Sequence, residues 1–282
     1  MAEAAIAFRN NKTFLQHLRT DNWWLEPALV LFGFSAFIVY STWAALQGNH
    51  YWVGPAEGFG GYLSPLYSPP LFIRQCAEGC APLHHAWLGN WPSWWPAFIP
   101  ASPAFLILMF PGLFRFTCYY YRGAYYKAFA GTPPACAVGG IPQNPYKGET
   151  GLMIFQNLHR YTLYFAILLI FILSYDALLS FFRNGEFGVG VGSIVLLLNP
   201  IFLGAYTFGC HAWRHLIGGN HDCFNCQSGL GKMRYKGYQK VSWLNEHHKL
   251  FAWISLIWVG GTDVYVRLAS MGVITDLNTW GN

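Results

Sequence analysis

Leu158–Phe182 reads LHRYTLYFAILLIFILSYDALLSFF, and this stretch decides the fold. From Tyr161 to Tyr175 it carries no charged side chain. As a helix it rises about 37 Å at 1.5 Å per residue, enough to cross a hydrocarbon core of about 30 Å. A lone helix satisfies its own backbone hydrogen bonds in lipid, which an isolated strand does not. Four further stretches read the same way: Pro27–Leu46, Pro100–Tyr119, Val191–Trp213 and His248–Leu268. The expected fold class is therefore all-α: an integral membrane bundle of five transmembrane helices forming one membrane-anchor domain over residues 1–282. A long loop, 47–99, joins the first two spans, and no internal repeat or low-complexity tract interrupts the chain.

Composition agrees. Of 282 residues, 54% are apolar, 19% aromatic and only 10% charged, against roughly 25% charged in an ordinary soluble domain. That excludes a disordered chain, a coiled coil and a typical soluble enzyme. Arg9, Lys12 and Arg19 precede the first apolar run, but that run is too long for the core of a signal peptide and reads as a retained span. An odd number of spans puts the termini on opposite sides. The side of the N-terminus collects 14 of the 17 Lys and Arg residues, leaving Arg74, Arg183 and Arg267 for the other. Basic loops stay in the cytoplasm, so the N-terminus is expected there and the C-terminus outside. The net charge of +5 then reflects topology and a docking surface for a soluble partner, with no nucleic-acid role. The outer loop is rich in tryptophan (Trp52, Trp87, Trp91, Trp94, Trp95), as an interfacial belt would be. Its Cys76 and Cys80 form either a small disulfide or two free thiols.

The histidines carry the functional signal. His159, His211, His215, His247 and His248 sit at span ends, with His221 just beyond, all on the cytoplasmic side. Cys118 and Cys210 fall on the same level, and Cys136 follows in the adjoining loop. His211 and His215 share one helix face. Any one of these could be a hydrogen-bonded interfacial histidine, but Cys and His converging from four spans point to a metal site. Thiolate with imidazole suits zinc or an iron–sulfur centre; two of each make a Rieske-type [2Fe–2S] cluster. A haem b between two histidines, drawn from His159, His211 or His215, and His248, is the alternative, with the cysteines as packing. A zinc-containing transporter or scaffold is a third reading, although no matched pair of broken spans supports it. His221-Asp-Cys223-x-x-Cys226 reads as either a metal knuckle or plain loop cysteines.

Five short motifs carry a family resemblance: FRFTCYYYR at 114–122, PPACAV at 133–138, QNLHR at 156–160, CHAWRH at 210–215 and LNEHH at 244–248. Together they resemble the membrane anchor of a bacterial succinate dehydrogenase, respiratory complex II, of the class in which one five-helix chain replaces the usual anchor pair. The resemblance spans about residues 25–278. It implies a multi-pass protein of the bacterial inner membrane, docked on its cytoplasmic face to a flavoprotein and an iron–sulfur subunit. It also implies a Rieske-type cluster, membrane quinone (menaquinone or ubiquinone) as acceptor, and room for a higher oligomer of the complex. Carried onto this chain, the thiolate candidates are Cys118 and Cys210, then Cys136; the imidazoles are His215 and His248, then His159 and His211. Relatives often have a second cysteine where Trp213 stands here, which argues against that cysteine as an essential ligand. Arg214, Arg160 and Asn245 lie near enough in sequence to orient the imidazoles.

A relay inside the membrane implies a quinone deeper than the cytoplasmic surface. Two acids lie in that direction. Asp176 is 17 residues past His159 and Asp263 is 15 past His248, roughly 25 and 22 Å along a helix. Acids at such depth face the bundle interior or a wet cavity. They are expected to exchange protons with the quinone, with Tyr175, Trp258 and Tyr265 as ring contacts, unless both only anchor the helices at the outer headgroups.

Overall fold

The computed structural model describes residues 13–54, 60–74, 76, 78–141, 156–219, 223, 226 and 228–280. Eight α-helices run through them: α1 Leu25–Gln47, α2 Pro103–Phe116, α3 Tyr119–Ala128, α4 His159–Leu179, α5 Val191–Phe208, α6 His211–Gly218, α7 Leu230–Glu246 and α8 His248–Ser270. Two short antiparallel hairpins and two 3-10 turns, Pro65–Tyr67 and Leu83–His85, complete the described elements. One hairpin pairs β1 (Trp52–Val53) with β2 (Tyr62–Leu63), Trp52 opposite Leu63. The other pairs β3 (Phe182–Arg183) with β4 (Glu186–Phe187). The second turns on Asn184-Gly185, both at positive φ (52° and 83°), the dipeptide that a two-residue hairpin favours.

Three helical stretches are long and apolar enough to cross a membrane: α1, Gln156–Leu179 and α5. A fourth forms if α2 and α3 count together, but they are bent by 80°. This corrects the straight span expected at 100–119. Pro111 lies inside α2, and Cys118 takes an extended conformation (φ −65°, ψ 132°) that ends one helix and caps the next. The span expected at 191–213 also stops early, at Phe208. Gly209 closes α5, and Cys210, extended at φ −71° and ψ 154°, starts α6. Cys210 therefore does not share a helix turn with His211 and His215. At 23 residues α8 is long enough to span, but Asp263 and Arg267 lower its hydropathy. Large apolar side chains such as Phe32, Val39, Phe171 and Ile257 point outward, each about two-thirds exposed or more. Lipid accepts such a surface where water would not. The protein is an integral membrane helical bundle.

The chain forms two compact units, residues up to Ile38 with Arg115–Leu158, and Val39–Phe114 with His159–Asn282. In the first, Phe34 of α1 packs edge-on against Tyr121 of α3 at 4.8 Å between ring centroids. In the second, α5 lies between α4 and α8. The segment between α1 and α2 belongs to this unit and is more than an aromatic belt. Tyr51, Trp52, Leu63, Leu66 and Tyr67 are buried in a cluster with Ala44 and Ala45 of α1, and Tyr51 and Tyr67 stack at 4.2 Å. Trp87 and Trp94 remain exposed. Tyr62 enters a second cluster with Ala177, Leu196 and Val266, and its ring lies against Gly192, where a Cβ would come within 2.3 Å of it. Cys76 and Cys80 are joined by a disulfide.

Candidate functional site

Helix ends position the thiols. In the first unit Cys118 is buried and outside any disulfide. Its N–H donates to the Arg115 carbonyl, and its own carbonyl accepts from the Arg122 N–H. Arg115 in turn donates to the buried Tyr121 hydroxyl at 2.5 Å, and the Arg122 guanidinium lies over the Tyr119 ring at 4.5 Å. Cys136 is free and exposed, and its carbonyl accepts from Arg19 at 3.0 Å. Arg19 also pairs with Asp21, which holds that carboxyl below its usual range.

In the second unit Cys210 is buried and outside any disulfide. Its Sγ accepts from the Trp213 N–H at 3.3 Å, satisfying one of the donors that a helix start leaves unpaired. Asn245 donates to the preceding Gly209 carbonyl at 2.8 Å, so α7 braces the break. His159 begins α4 and stacks on Phe114 at 4.6 Å and 9°. His248 begins α8 and stacks on Tyr206 at 4.9 Å and 13°. Phe114 and Tyr206 meet edge-to-face at 5.7 Å, so both imidazoles rest on one buried aromatic pair. His211 and His215 lie on α6 and are exposed. Arg214 reaches α7 instead of an imidazole: Nε donates to Ser242 at 3.1 Å and Nη2 to the Tyr238 hydroxyl at 2.8 Å.

The two acids separate. Asp263 is fully buried. It accepts from Arg267 Nε at 2.7 Å, from the Tyr40 hydroxyl at 2.5 Å and from Ser64. Arg267 also donates to the carbonyls of Asn49 and Ala44 and lies over the Trp43 and Tyr67 rings. Asp263 thus clamps α8 to α1 and the following loop. Asp176 accepts from Ser68 and, with Tyr175, lines a cavity of about 210 Å³. Trp258 and Tyr265 are elsewhere. Trp258 donates to the Val195 carbonyl at 3.0 Å, and the Tyr265 hydroxyl donates to Asp276 at 2.5 Å.

A Rieske-type cluster needs two thiolates and two imidazoles. The donor chemistry fits: Cys118, Cys136 and Cys210 are outside any disulfide, and imidazoles stand at the starts of α4, α6 and α8. The side chains as placed do not complete such a site, because among the described residues no three His, Cys, Asp or Glu groups gather closely enough to hold a metal ion. Cys223 and Cys226 are bonded to each other, which corrects the metal-knuckle reading for these two sulfurs. His221, its third member, lies outside the described residues.

Residues 25–272 match the family model described as actinobacterial succinate dehydrogenase subunit SdhC. The chain belongs to this family. It is a membrane subunit of succinate dehydrogenase, complex II, and works within an assembly of partner subunits. A solved structure titled "Mycobacterium smegmatis Sdh1 complex in the apo form" contains a chain 40% identical to it. The alignment covers 96% of each chain with a TM-score of 0.81. No curated protein matches. For this SdhC-family chain, reading by span ends picked out the helix-start cysteines and histidines but passed over Ser68 and Arg267. The Asp263–Arg267 spacing of four is a legible helix ion pair; Ser68 had no signal of its own.

Proposed function

We propose that the chain takes electrons from the iron–sulfur partner of succinate dehydrogenase and delivers them to membrane quinone, as a five-span anchor with its N-terminus in the cytoplasm. α8 is the fifth span: its two buried charges neutralise each other, so they burden insertion less than two isolated ions would. The observation that carries the reading is that a chain of this family sets two buried thiols outside any disulfide, and several imidazoles, at helix starts. A Rieske-type [2Fe–2S] cluster held by Cys118, Cys210, His215 and His248 would supply a one-electron relay whose potential imidazole ligation raises. Cys136, His159 and His211 are the reserve donors. The protein's own part is to exclude water from the thiols, fix the ring planes and hold a carboxylate where the quinone takes up protons.

The alternative cofactor, a haem b held by His159 and His248, meets an obstacle. Phe114 and Tyr206 fill the space between these rings. The flavoprotein and iron–sulfur partners would dock on the basic cytoplasmic face of a bacterial inner membrane.

Low-temperature EPR of the reduced, purified complex tests this. The expected result is a signal with the low average g of a His-ligated cluster, lost in a His215→Ala, His248→Ala double variant while the partner clusters persist. No such signal, together with a Soret band, would overturn the cluster in favour of haem.

A further inference from the structure

The first compact unit holds a cavity of its own, of about 520 Å³, that electron transfer does not use. One wall is a side of α1, where Glu26, Pro27 and Val30 recur at helical spacing. The facing wall is a side of α3, where Tyr120, Gly123, Ala124 and Lys127 do the same. The segment before α1 and the loop at Cys136 close one end. Gly123 keeps the groove open, since a Cβ there would meet nothing within 4 Å.

Three features narrow the ligand. First, the charges balance. Arg19 and Lys127 line the cavity together with Asp21 and Glu26. A site for an anionic headgroup carries surplus positive charge, whereas two cations with two acids suit a zwitterion. Second, the polar end is fixed in place. Arg19 pairs with Asp21 through two of its N–H groups and donates a third to the Cys136 carbonyl at 3.0 Å. A carboxylate offers about four lone-pair sites, so Asp21, its side chain 57% exposed, still accepts from an ammonium. Lys127, exposed in the last turn of α3, presents an ammonium to a phosphate. Third, the chemistry changes in order along α1. Arg19 and Asp21 give way to Trp23, then to Pro27 and Val30, over a rise of about 7.5 Å from Leu25 to Val30. Trp23 and the exposed Tyr119 are the side chains that a headgroup layer favours. Beyond them Leu29 and Phe32 continue an outward apolar surface. A phosphate, an ammonium and long apolar chains, in that order, describe an aminophospholipid. About 520 Å³ is ligand-sized and leaves the acyl chains outside.

We propose that this cavity holds the headgroup of one phosphatidylethanolamine, with its phosphate on Lys127, its ammonium on Asp21 and Glu26, and its acyl chains running down the apolar surface of α1. The lipid fills the groove between α1 and α3 and ties the segment before α1 to the end of α3. The site draws on one compact unit and requires only that α1 crosses the membrane. It therefore stands whether the electron relay is an iron–sulfur cluster or a haem.

The test uses the purified complex, stripped of lipid by detergent exchange and titrated with phosphatidylethanolamine, phosphatidylcholine or phosphatidylglycerol of identical chains. Native mass spectrometry counts the lipid retained. Phosphatidylethanolamine is expected to bind about tenfold or more tightly than the other two, as for a charged hydrogen bond gained. The choline ammonium has no N–H for Asp21, and the glycerol headgroup has no cation. In Lys127→Gln the affinity is expected to fall about tenfold or more. Two variants at one position separate blocking from unfolding. Gly123→Ala adds a methyl in open space and should keep the lipid, whereas Gly123→Leu fills the groove and should exclude it. Succinate-driven reduction of an artificial dye, which takes electrons before they reach the membrane, reports that each variant is assembled. A phosphatidylethanolamine with a photoreactive headgroup should label the peptide carrying Tyr119–Ala128. Label confined to other segments or to a partner subunit would overturn the proposal. So would equal affinity for the three lipids, tighter binding of phosphatidylglycerol, or wild-type affinity in both Lys127→Gln and Gly123→Leu. Displacement of the lipid by an equal concentration of inorganic phosphate would assign the cavity to a free phosphate and likewise overturn it.

Discussion

Replacing Arg267 by methionine would leave the Asp263 carboxylate without its cation in a place that no solvent reaches. Asp263 is 0% and Arg267 3% exposed, so solvent screening is small. Removing one partner of a buried pair costs about 3–5 kcal/mol, because the remaining charge is uncompensated. The Asn49 carbonyl also loses its guanidinium donor, costing about 1–3 kcal/mol if left unsatisfied, whereas the Ala44 carbonyl keeps the Tyr67 hydroxyl when Arg267 is gone. These losses share one side chain and do not simply add, so at least about 3 kcal/mol is expected. Asp263→Asn should cost less. Asparagine keeps one oxygen to accept from one of the Tyr40 and Ser64 hydroxyls and can donate its N–H to the other, and Arg267 keeps two carbonyls and two aromatic faces. An Asp263→Leu, Arg267→Met double variant should be more stable than Arg267→Met alone, since it buries no unpaired charge.

The assay is the half-life of the purified complex at a fixed elevated temperature, because large assemblies unfold irreversibly and a rate is then the meaningful quantity. The expected order is wild type, Asp263→Asn, the double variant and, shortest-lived, Arg267→Met. Asp263 was singled out by depth alone as a proton carrier, and the measurement separates that role from the clamp. An Asp263→Asn complex with wild-type half-life but no quinone reduction would refute the clamp and restore Asp263 to the chemistry.

Three other outcomes follow from local geometry. Cys210→Ser should preserve the cap on α6, since serine is a preferred N-cap residue; loss of the cluster signal in a stable Cys210→Ser complex therefore marks a ligand, and retention of the signal marks a cap only. Gly192→Ala pushes a methyl to within 2.3 Å of the Tyr62 ring and should destabilise by about 1–3 kcal/mol, as overpacking does, read as a shorter half-life. Burial raises the Tyr62 phenol from 10.0 to about 12, with its hydrogen bond to Asp276 a further cause. A raised pKa contributes stability that is complete below pH 10 and is lost as pH climbs through about 12; Tyr62→Phe should blunt this alkaline loss, and equal sensitivity in the variant would contradict it.

How much of this was legible depends on whether a residue's role is set along the chain or across it. The run from Tyr161 to Tyr175 announces a span because a bilayer imposes length and apolarity on every residue at once. Cys118 and Cys210 were legible as residues at the ends of apolar runs for the same reason, but their roles as helix starts were not. An apolar stretch carries no mark at Cys118 or Cys210, where the backbone turns extended, and the hydropathy runs on across both breaks. The loop between α1 and α2 was the hardest to read. Tryptophan and tyrosine suit an interface belt and a packed core equally well, since each has an apolar body and a polar tip. Only the fold distinguishes Trp52, buried against Gly61, from Trp94 in the open. The same limit explains why Asp176 and Asp263 looked alike. Both are lone acids far along a span, and depth says only that each must be satisfied. Arg267, four residues on, satisfies the one. Ser68, 108 residues away in sequence, orients the other and leaves it facing a cavity, and a chemical role is open to the acid that faces a cavity.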